Sequence, residues 1–159
     1  MNAAVRKLRD GGEKAGIAEA VLAALPEWFG MPEYTREYVQ TCAKLPVWAA
    51  FADEQPVGFA AWKQTSPYTV EVYVMGVLPR YHRHGIGKAL VSALEEAARG
   101  DGFEFLQVKT VAAGHYAEYD RTRLFYEAMG FRALEVFPRL WDEWNPCLVM
   151  VKHLEKDND

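Results

Sequence analysis

The chain has 159 residues, of which 50% are hydrophobic and 25% charged, and its formal net charge is -4 at pH 7. This length and composition allow the chain to bury a core of its own, which excludes predominant disorder, and the acidic balance argues against broad binding to nucleic acids or anionic membranes. No run approaches the ~20 apolar residues of a membrane span, and charged residues at 13, 14 and 19 interrupt what would be the apolar part of a secretory signal, so we expect a cytoplasmic protein.

The first quarter of the chain predicts one strand and two helices. Residues 4–8, "AVRKL", are a short strand that ends at a turn over 10–12. Apolar residues at helical spacing predict a helix over 13–24, which Pro26 stops. A second helix is predicted over 32–43, with Pro32 in its first turn.

The middle of the chain is rich in β-branched and aromatic residues. Residues 47–64 predict a hairpin about a polar turn at 53–56. Residues 68–78, "YTVEVYVMGVL", predict a further strand that ends before Pro79.

The second half begins with a helix predicted over 85–99, which has one apolar face and is ended by Gly100. The strand predicted over 103–111 has to return beside the strand over 68–78, which gives a parallel crossover. A last helix and two strands follow, at 120–129, 131–137 and 147–153. The order predicts an α/β (α+β) fold whose sheet has parallel and antiparallel pairs, and the absence of repeats or linkers predicts a single domain over 1–159.

The stretch over 79–91, "PRYHRHGIGKALV", places two glycines between a strand and a helix. Unpaired N–H groups and the positive end of the helix dipole make such a loop an anion site, typically for phosphate. A dinucleotide loop would need a third glycine where Leu90 stands, and a Walker loop would need Ser or Thr where Ala89 stands. The basic or ionisable residues around the glycines are Arg80, His82, Arg83, His84 and Lys88.

The loop resembles the Gln/Arg-x-x-Gly-x-Gly/Ala pattern of the GNAT superfamily of acetyl-CoA-dependent N-acetyltransferases, with His82 at the first position. Residues 125–131, "FYEAMGF", are similar to that superfamily's Phe-Tyr-x-x-x-Gly-Phe, although Tyr119 and Thr122 replace the usual preceding Asn and Ala. Together with "VRKLRDGG" near the N-terminus, the resemblance covers nearly the whole chain.

The resemblance implies a mostly antiparallel central sheet of about six to seven strands with a splayed parallel pair, flanked by about four helices. It also implies that acetyl-CoA lies between the splayed strands, with the pantetheine paired to main-chain groups and the pyrophosphate on the glycine loop. The residues so implied for the cofactor are Val77, Leu78, Arg83, His84, Gly85, Ile86, Gly87, Lys88 and Tyr126.

Two residues are candidates for acid–base chemistry. Glu71, eleven residues before His82, resembles the general-base glutamate of the family's histone-modifying branch; a water chain, with Glu71 only an exposed or paired strand residue, is the alternative. Tyr126 is the candidate acid, since a phenol with an unperturbed pKa of about 10 keeps its proton at neutral pH. A tyrosine packed in the core is the alternative for Tyr126. Main-chain N–H groups near Gly76 and Val77 are expected to stabilise the oxyanion.

Aromatic residues are candidates for the acceptor pocket. The family resemblance implies that the region of the second helix walls this pocket, and the loop before the last helix is a candidate because such loops often carry function, the alternative being that its residues cap and solvate the helix entry. The alternative is packing at the core or the rim. These residues are Trp28, Phe29, Tyr34, Tyr116 and Tyr119. No metal is expected, since the cysteines and histidines match no zinc spacing.

The resemblance therefore implies an enzyme that transfers an acetyl group from acetyl-CoA to a primary amine, with a small-molecule acceptor, by direct attack in a ternary complex. The alternatives are acetylation of a protein lysine or N-terminal amine, and a module that senses acyl-CoA without turnover. We expect a monomer or a homodimer, with no nucleic-acid or membrane partner.

Overall fold

The structure, a computed structural model, describes residues 3–112, 117–142 and 145–156. Its strands are β1 (Ala3–Lys7), β2 (Val47–Ala52), β3 (Gln55–Gln64), β4 (Thr69–Val77), β5 (Phe105–Val111), β6 (Arg132–Asp142) and β7 (Asn145–His153). Its helices are α1 (Gly11–Ala23), α2 (Pro32–Cys42), α3 (Ile86–Gly100) and α4 (Ala117–Ala128), with a short 3-10 helix at Pro79–Tyr81. No helix in these ranges is long and apolar enough to cross a bilayer.

The seven strands form one sheet in the order β1-β2-β3-β4-β5-β7-β6. β4 and β5 run parallel, with Thr69 opposite Phe105 and Glu71 opposite Gln107. The pairs β1–β2, β2–β3, β5–β7 and β6–β7 are antiparallel. The mixed α/β sheet and its parallel crossover are confirmed.

Two compact units divide the chain. One consists of Met1–Lys63 and Tyr73–Ala97, and the other of Gln64–Val72 and Ala98–Asp159. The strand β4 and the helix α3 each begin in one unit and end in the other.

The first unit has a core in which α1 packs on the sheet. Ile17, Val21 and Leu22 of α1 are buried with Phe59 of β3 and Val74 of β4. The tight fit at β4 requires a glycine, because a Cβ at Gly76 would lie 3.0 Å from side-chain carbons of both Val21 and Leu25. This close packing fixes the position of the end of β4, which is followed in the chain by the glycine loop.

The second unit has a core around β5 and β7. The side chains of Leu106, Val108 and Met150 are buried there, as is Phe131 after α4. Lys152 donates from its ammonium to the carbonyl of Met129 at the end of α4, at 2.7 Å.

Helix α1 begins at Gly11, so the predicted turn over 10–12 is wrong. Asp10 is the N-cap residue, and its carboxylate accepts a hydrogen bond from the N–H of Glu13 at 2.9 Å. An aspartate followed by glycines is typical of a turn, but the same side chain satisfies an unpaired amide at a helix start.

Candidate active site

The loop before α3 has the backbone of an anion site. Gly85 has φ +78° and Arg83, which carries a side chain, has φ +66°. The Ala89 N–H donates to the Gly85 carbonyl at 3.0 Å, which is the first hydrogen bond of the helix ladder. The N–H groups of residues 86–88 therefore have no partner within α3, and with the helix dipole they favour an anion.

Cationic side chains surround this helix end. Arg83, His84 and Lys88 are exposed, so the charges of Arg83 and Lys88 are available to a ligand. A Cβ at Gly85 would meet no other atom within 4 Å, and its φ favours glycine. The glycine loop is thus open, locally basic and held in a backbone conformation that residues other than glycine adopt at a cost.

His82 occupies the position of the family's Gln or Arg and bonds back to the strand. Its Nε2 lies 2.7 Å from the carbonyl oxygen of Val77, and because a carbonyl only accepts, Nε2 is the donor. The ring also contacts Trp28 edge to face, with centroids 6.1 Å apart. His82 therefore ties the loop to β4 and to the segment between α1 and α2.

The backbone of Leu78 is already hydrogen-bonded. Its N–H donates to the carbonyl of Val57 at 2.8 Å, and its carbonyl accepts from the N–H of Tyr81 at 2.9 Å. Successive N–H groups of an extended strand point to opposite edges, so the N–H of Val77 points away from Val57. Of the two residues predicted to pair with pantetheine, Val77 has the better-placed main-chain donor.

An aromatic row lies beside β4 in the first unit. Phe29 contacts Tyr38 with ring centroids 5.9 Å apart, and Tyr38 contacts Tyr73 at 5.3 Å. The ammonium of Lys63 lies 5.9 Å from the centre of the Tyr73 ring. Sequence reasoning did not select Tyr73, although its place two residues after Glu71 in the same strand was an available signal.

The aromatic residues predicted for the acceptor pocket have different environments. Trp28 and Phe29 are half-buried and pack against the core of the first unit, whereas Tyr34 of α2 is 57% exposed. Tyr119 is half-buried in the first turn of α4. Tyr116 lies outside the described residues.

Glu71 is buried on the parallel strand pair of the second unit. Its carboxylate accepts a hydrogen bond from the side-chain amide of Gln107 at 2.8 Å and forms an ion pair with Lys109 at 3.1 Å. Glu71 is 6% exposed. The sequence did not indicate these two partners, because the register of β4 on β5 brings them together.

Cys147 is a buried free thiol in the same unit as this ion pair. Burial raises the pKa of the Cys147 thiol to about 11; the positive charge of Lys109 opposes this effect and the negative charge of Glu71 adds to it. The thiol is therefore neutral at physiological pH, and it is a poor nucleophile in that form.

Tyr126 lies in α4 between two aromatic neighbours. Its ring stacks on Phe125 and meets Phe131 edge to face, with centroids 5.3 Å apart in both contacts. Burial raises the pKa of the Tyr126 phenol above its ordinary value. The phenol is consequently neutral at physiological pH, which is the form that can donate a proton.

Among residues 3–112, 117–142 and 145–156, no group of three His, Cys, Asp or Glu side chains is arranged to hold a metal ion. That the protein acts without a metal ion stays a prediction from the sequence.

The family profile described as "Acetyltransferase (GNAT) family" matches residues 14–131, which is most of the chain. The chain belongs to this acetyltransferase family, and it is an acyltransferase enzyme. This assignment confirms the family resemblance on which the site residues were chosen.

Two curated relatives are similar in sequence. The chain is 25% identical over 109 residues to the uncharacterised N-acetyltransferase YsnE of Bacillus subtilis, covering 69% of this chain and 70% of YsnE. It is 33% identical over 75 residues to the N-alpha-acetyltransferase RimI of Mycobacterium tuberculosis, covering 47% of this chain and 42% of RimI.

Solved structures share the fold. A GNAT-family acetyltransferase of Desulfovibrio desulfuricans superposes with a TM-score of 0.84 at 20% identity, covering 97% of this chain and all of that one. The yncA protein of Salmonella typhimurium, solved with its cofactor acetyl-CoA, gives a TM-score of 0.74 at 19% identity and covers 100% of this chain and 98% of its own. At these identities the likeness establishes the fold.

Proposed function

We propose that this enzyme transfers an acetyl group from acetyl-CoA to a primary amine of a small molecule, by direct attack in a ternary complex. The observation that carries the proposal is the loop before α3, where the N–H groups of residues 86–88 have no helix partner and exposed Arg83 and Lys88 add positive charge. The acetyl-CoA found in the similar yncA structure supports this choice of cosubstrate.

The loop fits a pyrophosphate. Backbone N–H groups from Arg83 to Lys88 would bind its oxygens, and the side chains of Arg83 and Lys88 would offset its charge. The N–H of Val77 is the proposed main-chain partner of the pantetheine arm. Because the backbone of Leu78 is already bonded, we assign it an apolar side-chain contact instead.

Attack on the thioester requires a neutral amine, and an alkylamine is mostly ammonium at neutral pH. We assign removal of its proton to the Glu71 carboxylate. Gln107 and Lys109 orient that carboxylate by direct contacts. The same contacts also join β4 to β5.

The amine nitrogen then forms a bond to the acetyl carbon while the carbonyl oxygen becomes negative. We assign stabilisation of this oxyanion to main-chain N–H groups near Gly76 and Val77. When the carbon–sulfur bond breaks, the sulfur leaves as a thiolate and takes a proton from the neutral phenol of Tyr126. The nitrogen loses its second proton to solvent as the amide forms, Glu71 releases the proton it removed to solvent, and solvent returns a proton to Tyr126.

The aromatic row of Phe29, Tyr38 and Tyr73 favours an acceptor with an apolar or aromatic part near the amine. A second candidate acceptor is the N-terminal amine of a protein. The similarity to an N-alpha-acetyltransferase over 75 residues favours it. The cytoplasmic location stays a prediction.

Release of CoA thiol over a panel of acceptors tests the proposal. The panel contains small primary amines, peptides with a free N-terminus, and N-acetylated peptides that contain one lysine. Both cysteines of the protein are buried, so a thiol reagent reports mainly on CoA.

We expect thiol release that depends on a small amine. Release with the free N-terminal peptides alone would transfer the assignment to a protein N-terminus, and release with the lysine peptides alone would transfer it to lysine. Binding of acetyl-CoA without amine-dependent release from any member of the panel would contradict the enzymatic mechanism and favour acyl-CoA sensing.

A further inference from the structure

The strand β6 forms one edge of the sheet and exposes several large apolar side chains. It stands last in the strand order, beside β7 alone. Every residue from 132 to 142 is exposed except the half-buried Phe137. The exposed fractions are 61% for Leu134, 45% for Val136, 52% for Leu140 and 46% for Trp141.

The ladder that joins β6 to β7 is interrupted in two places, between Ala133 and Glu135 and between Phe137 and Asp142. The ladder pairs Phe137 with Cys147 and resumes only where Asp142 pairs with Asn145. Residues 138–141 therefore face the single intervening residue of β7, Pro146. A depression of about 300 Å³ lies at the same place, lined by residues 137–140.

The sequence of β6 is symmetric about Phe137 in the type of side chain and complementary in charge. Two places away on either side stand Glu135 and Arg139, which have opposite charges. Five places away stand Arg132 and Asp142, which are also opposite. At one, three and four places the two members are both apolar, and the pairs are Val136 with Pro138, Leu134 with Leu140, and Ala133 with Trp141.

We propose that β6 is a self-association surface, on which a second copy of this chain adds its own β6 in antiparallel pairing about a twofold axis at Phe137. Two antiparallel strands related by a twofold axis place residues equally distant from the centre opposite one another. Glu135 then lies opposite the partner's Arg139, Leu134 opposite the partner's Leu140, and the two copies of Phe137 meet.

Among this register and those shifted from it by one or two residues, only this one pairs opposite charges. A shift of one residue places Glu135 opposite the partner's Pro138, or Arg139 opposite the partner's Val136. A shift by two places a charged residue opposite the partner's Phe137. Opposite charges across strands stabilise a pairing and like charges destabilise it, so the sequence of β6 selects one centre.

A set of charge reversals tests the register. In Glu135→Arg both facing residues are basic, and in Arg139→Glu both are acidic, so each variant alone meets like charge twice in a homodimer. A mixture of the two variants has opposite charges at both contacts. The double variant Glu135→Arg/Arg139→Glu also restores opposite charges. Glu96→Arg, on the exposed part of α3, is the matched control.

Sedimentation velocity over a wide concentration range gives the dimer dissociation constant without cofactor or acceptor. We expect the wild type and Glu96→Arg to dimerise, each single variant to dimerise at least about tenfold more weakly, and the mixture and the double variant to recover.

A wild type that stays monomeric, or a dimer that the single variants do not weaken, would overturn the proposal. Single variants that weaken the dimer without recovery in the mixture would overturn this register. Far-UV circular dichroism shows whether each variant is folded, and recovery in the mixture is itself evidence of folding. None of these outcomes depends on acetyl transfer, so the association and the enzymatic proposal can fail separately.

Discussion

Glu71 is a charged residue on an otherwise apolar strand, and its burial needs compensation. Burying a carboxylate is costly unless it is paired and hydrogen-bonded. Gln107 and Lys109 provide both contacts, at 2.8 and 3.1 Å. The two contacts therefore explain how the strand accommodates a buried Glu71.

Replacement of Glu71 by Gln keeps the shape and the hydrogen-bonding capacity of the side chain but removes the base. We expect kcat/KM to fall most at low pH, by about a hundredfold, because free amine is scarcest there and a general base contributes at least that much. The measurement is the pH dependence of kcat/KM for Glu71→Gln and wild type.

Lys109→Met is the matched control for this replacement. It breaks the same ion pair but leaves the carboxylate and the hydrogen bond from Gln107, so at neutral pH it should retain more activity than Glu71→Gln. An unchanged shape of the pH–rate profile in Glu71→Gln, with both variants equally destabilised, would leave Glu71 a structural role only.

Tyr126→Phe tests the proposed acid. The phenyl ring preserves the contacts with Phe125 and Phe131, so we expect little loss of stability. Loss of the proton donor should lower kcat by about a hundredfold and leave acetyl-CoA affinity nearly unchanged. Equal kcat values for Tyr126→Phe and wild type in stopped assays would show that Tyr126 only packs in the core.

The titration of Tyr126 gives a further prediction. Its phenol is neutral in the folded protein because burial raises its pKa above 10.0, whereas the unfolded chain loses this proton near pH 10. Its contribution to stability is therefore present below pH 10 and is lost as the pH rises toward the folded pKa. Urea unfolding from pH 8 to 11 should show a shallower alkaline loss in Tyr126→Phe than in wild type; parallel curves would contradict the burial of an ionisable phenol.

Sequence reasoning identified residues that belong to local motifs, and it missed partners that tertiary pairing supplies. The glycine loop lies within a few consecutive residues, so its strand–loop–helix setting was predictable and the structure has it. Lys109 is thirty-eight positions from Glu71 and meets it only through the β4–β5 register. Tyr73 likewise joins Tyr38 from a different element.

At the scale of elements, the start of α1 and the length of β6 differ from prediction. The strand was predicted to end at Phe137, and the next residue, Pro138, has no N–H to give to a ladder. In the structure β6 continues to Asp142, and it does so as an edge strand with an interrupted ladder, where a proline costs little. The predicted start of the last helix at 120 is also wrong, since α4 begins at Ala117.

The cap of α1 makes a testable element-scale prediction. Asp10→Ala removes the acceptor for the N–H of Glu13 and should lower the free energy of unfolding by about 1 kcal/mol. Asp10→Asn keeps an oxygen acceptor at the same place and should lose much less. Urea unfolding of both variants checks this, and equal losses would show that the cap hydrogen bond does not determine the effect.

At the scale of the whole molecule, the order of elements was enough to predict the mixed sheet. A chain whose strands and helices alternate, with one parallel crossover, can form few sheet topologies. Such crossovers are right-handed, and short loops join elements that are neighbours in space. The pattern of apolar and polar residues along the chain gave no evidence of how the chain divides into compact units or of the exact register of β6 and β7, since both depend on long-range contacts.

Binding of acetyl-CoA by the glycine loop is tested most directly by thermal unfolding with and without this compound. Acetyl-CoA at ~100 times its Kd should add about 2.7 kcal/mol of stability, which is several degrees in a domain of this size. The test variant is Gly87→Glu, which places a negative side chain in the phosphate site. The control is Gly100→Glu, at the other end of α3 and open to solvent. We predict that acetyl-CoA raises the Tm of wild type and Gly100→Glu but not that of folded Gly87→Glu; no shift in wild type at saturating acetyl-CoA, or an equal shift in all three proteins, would contradict the account.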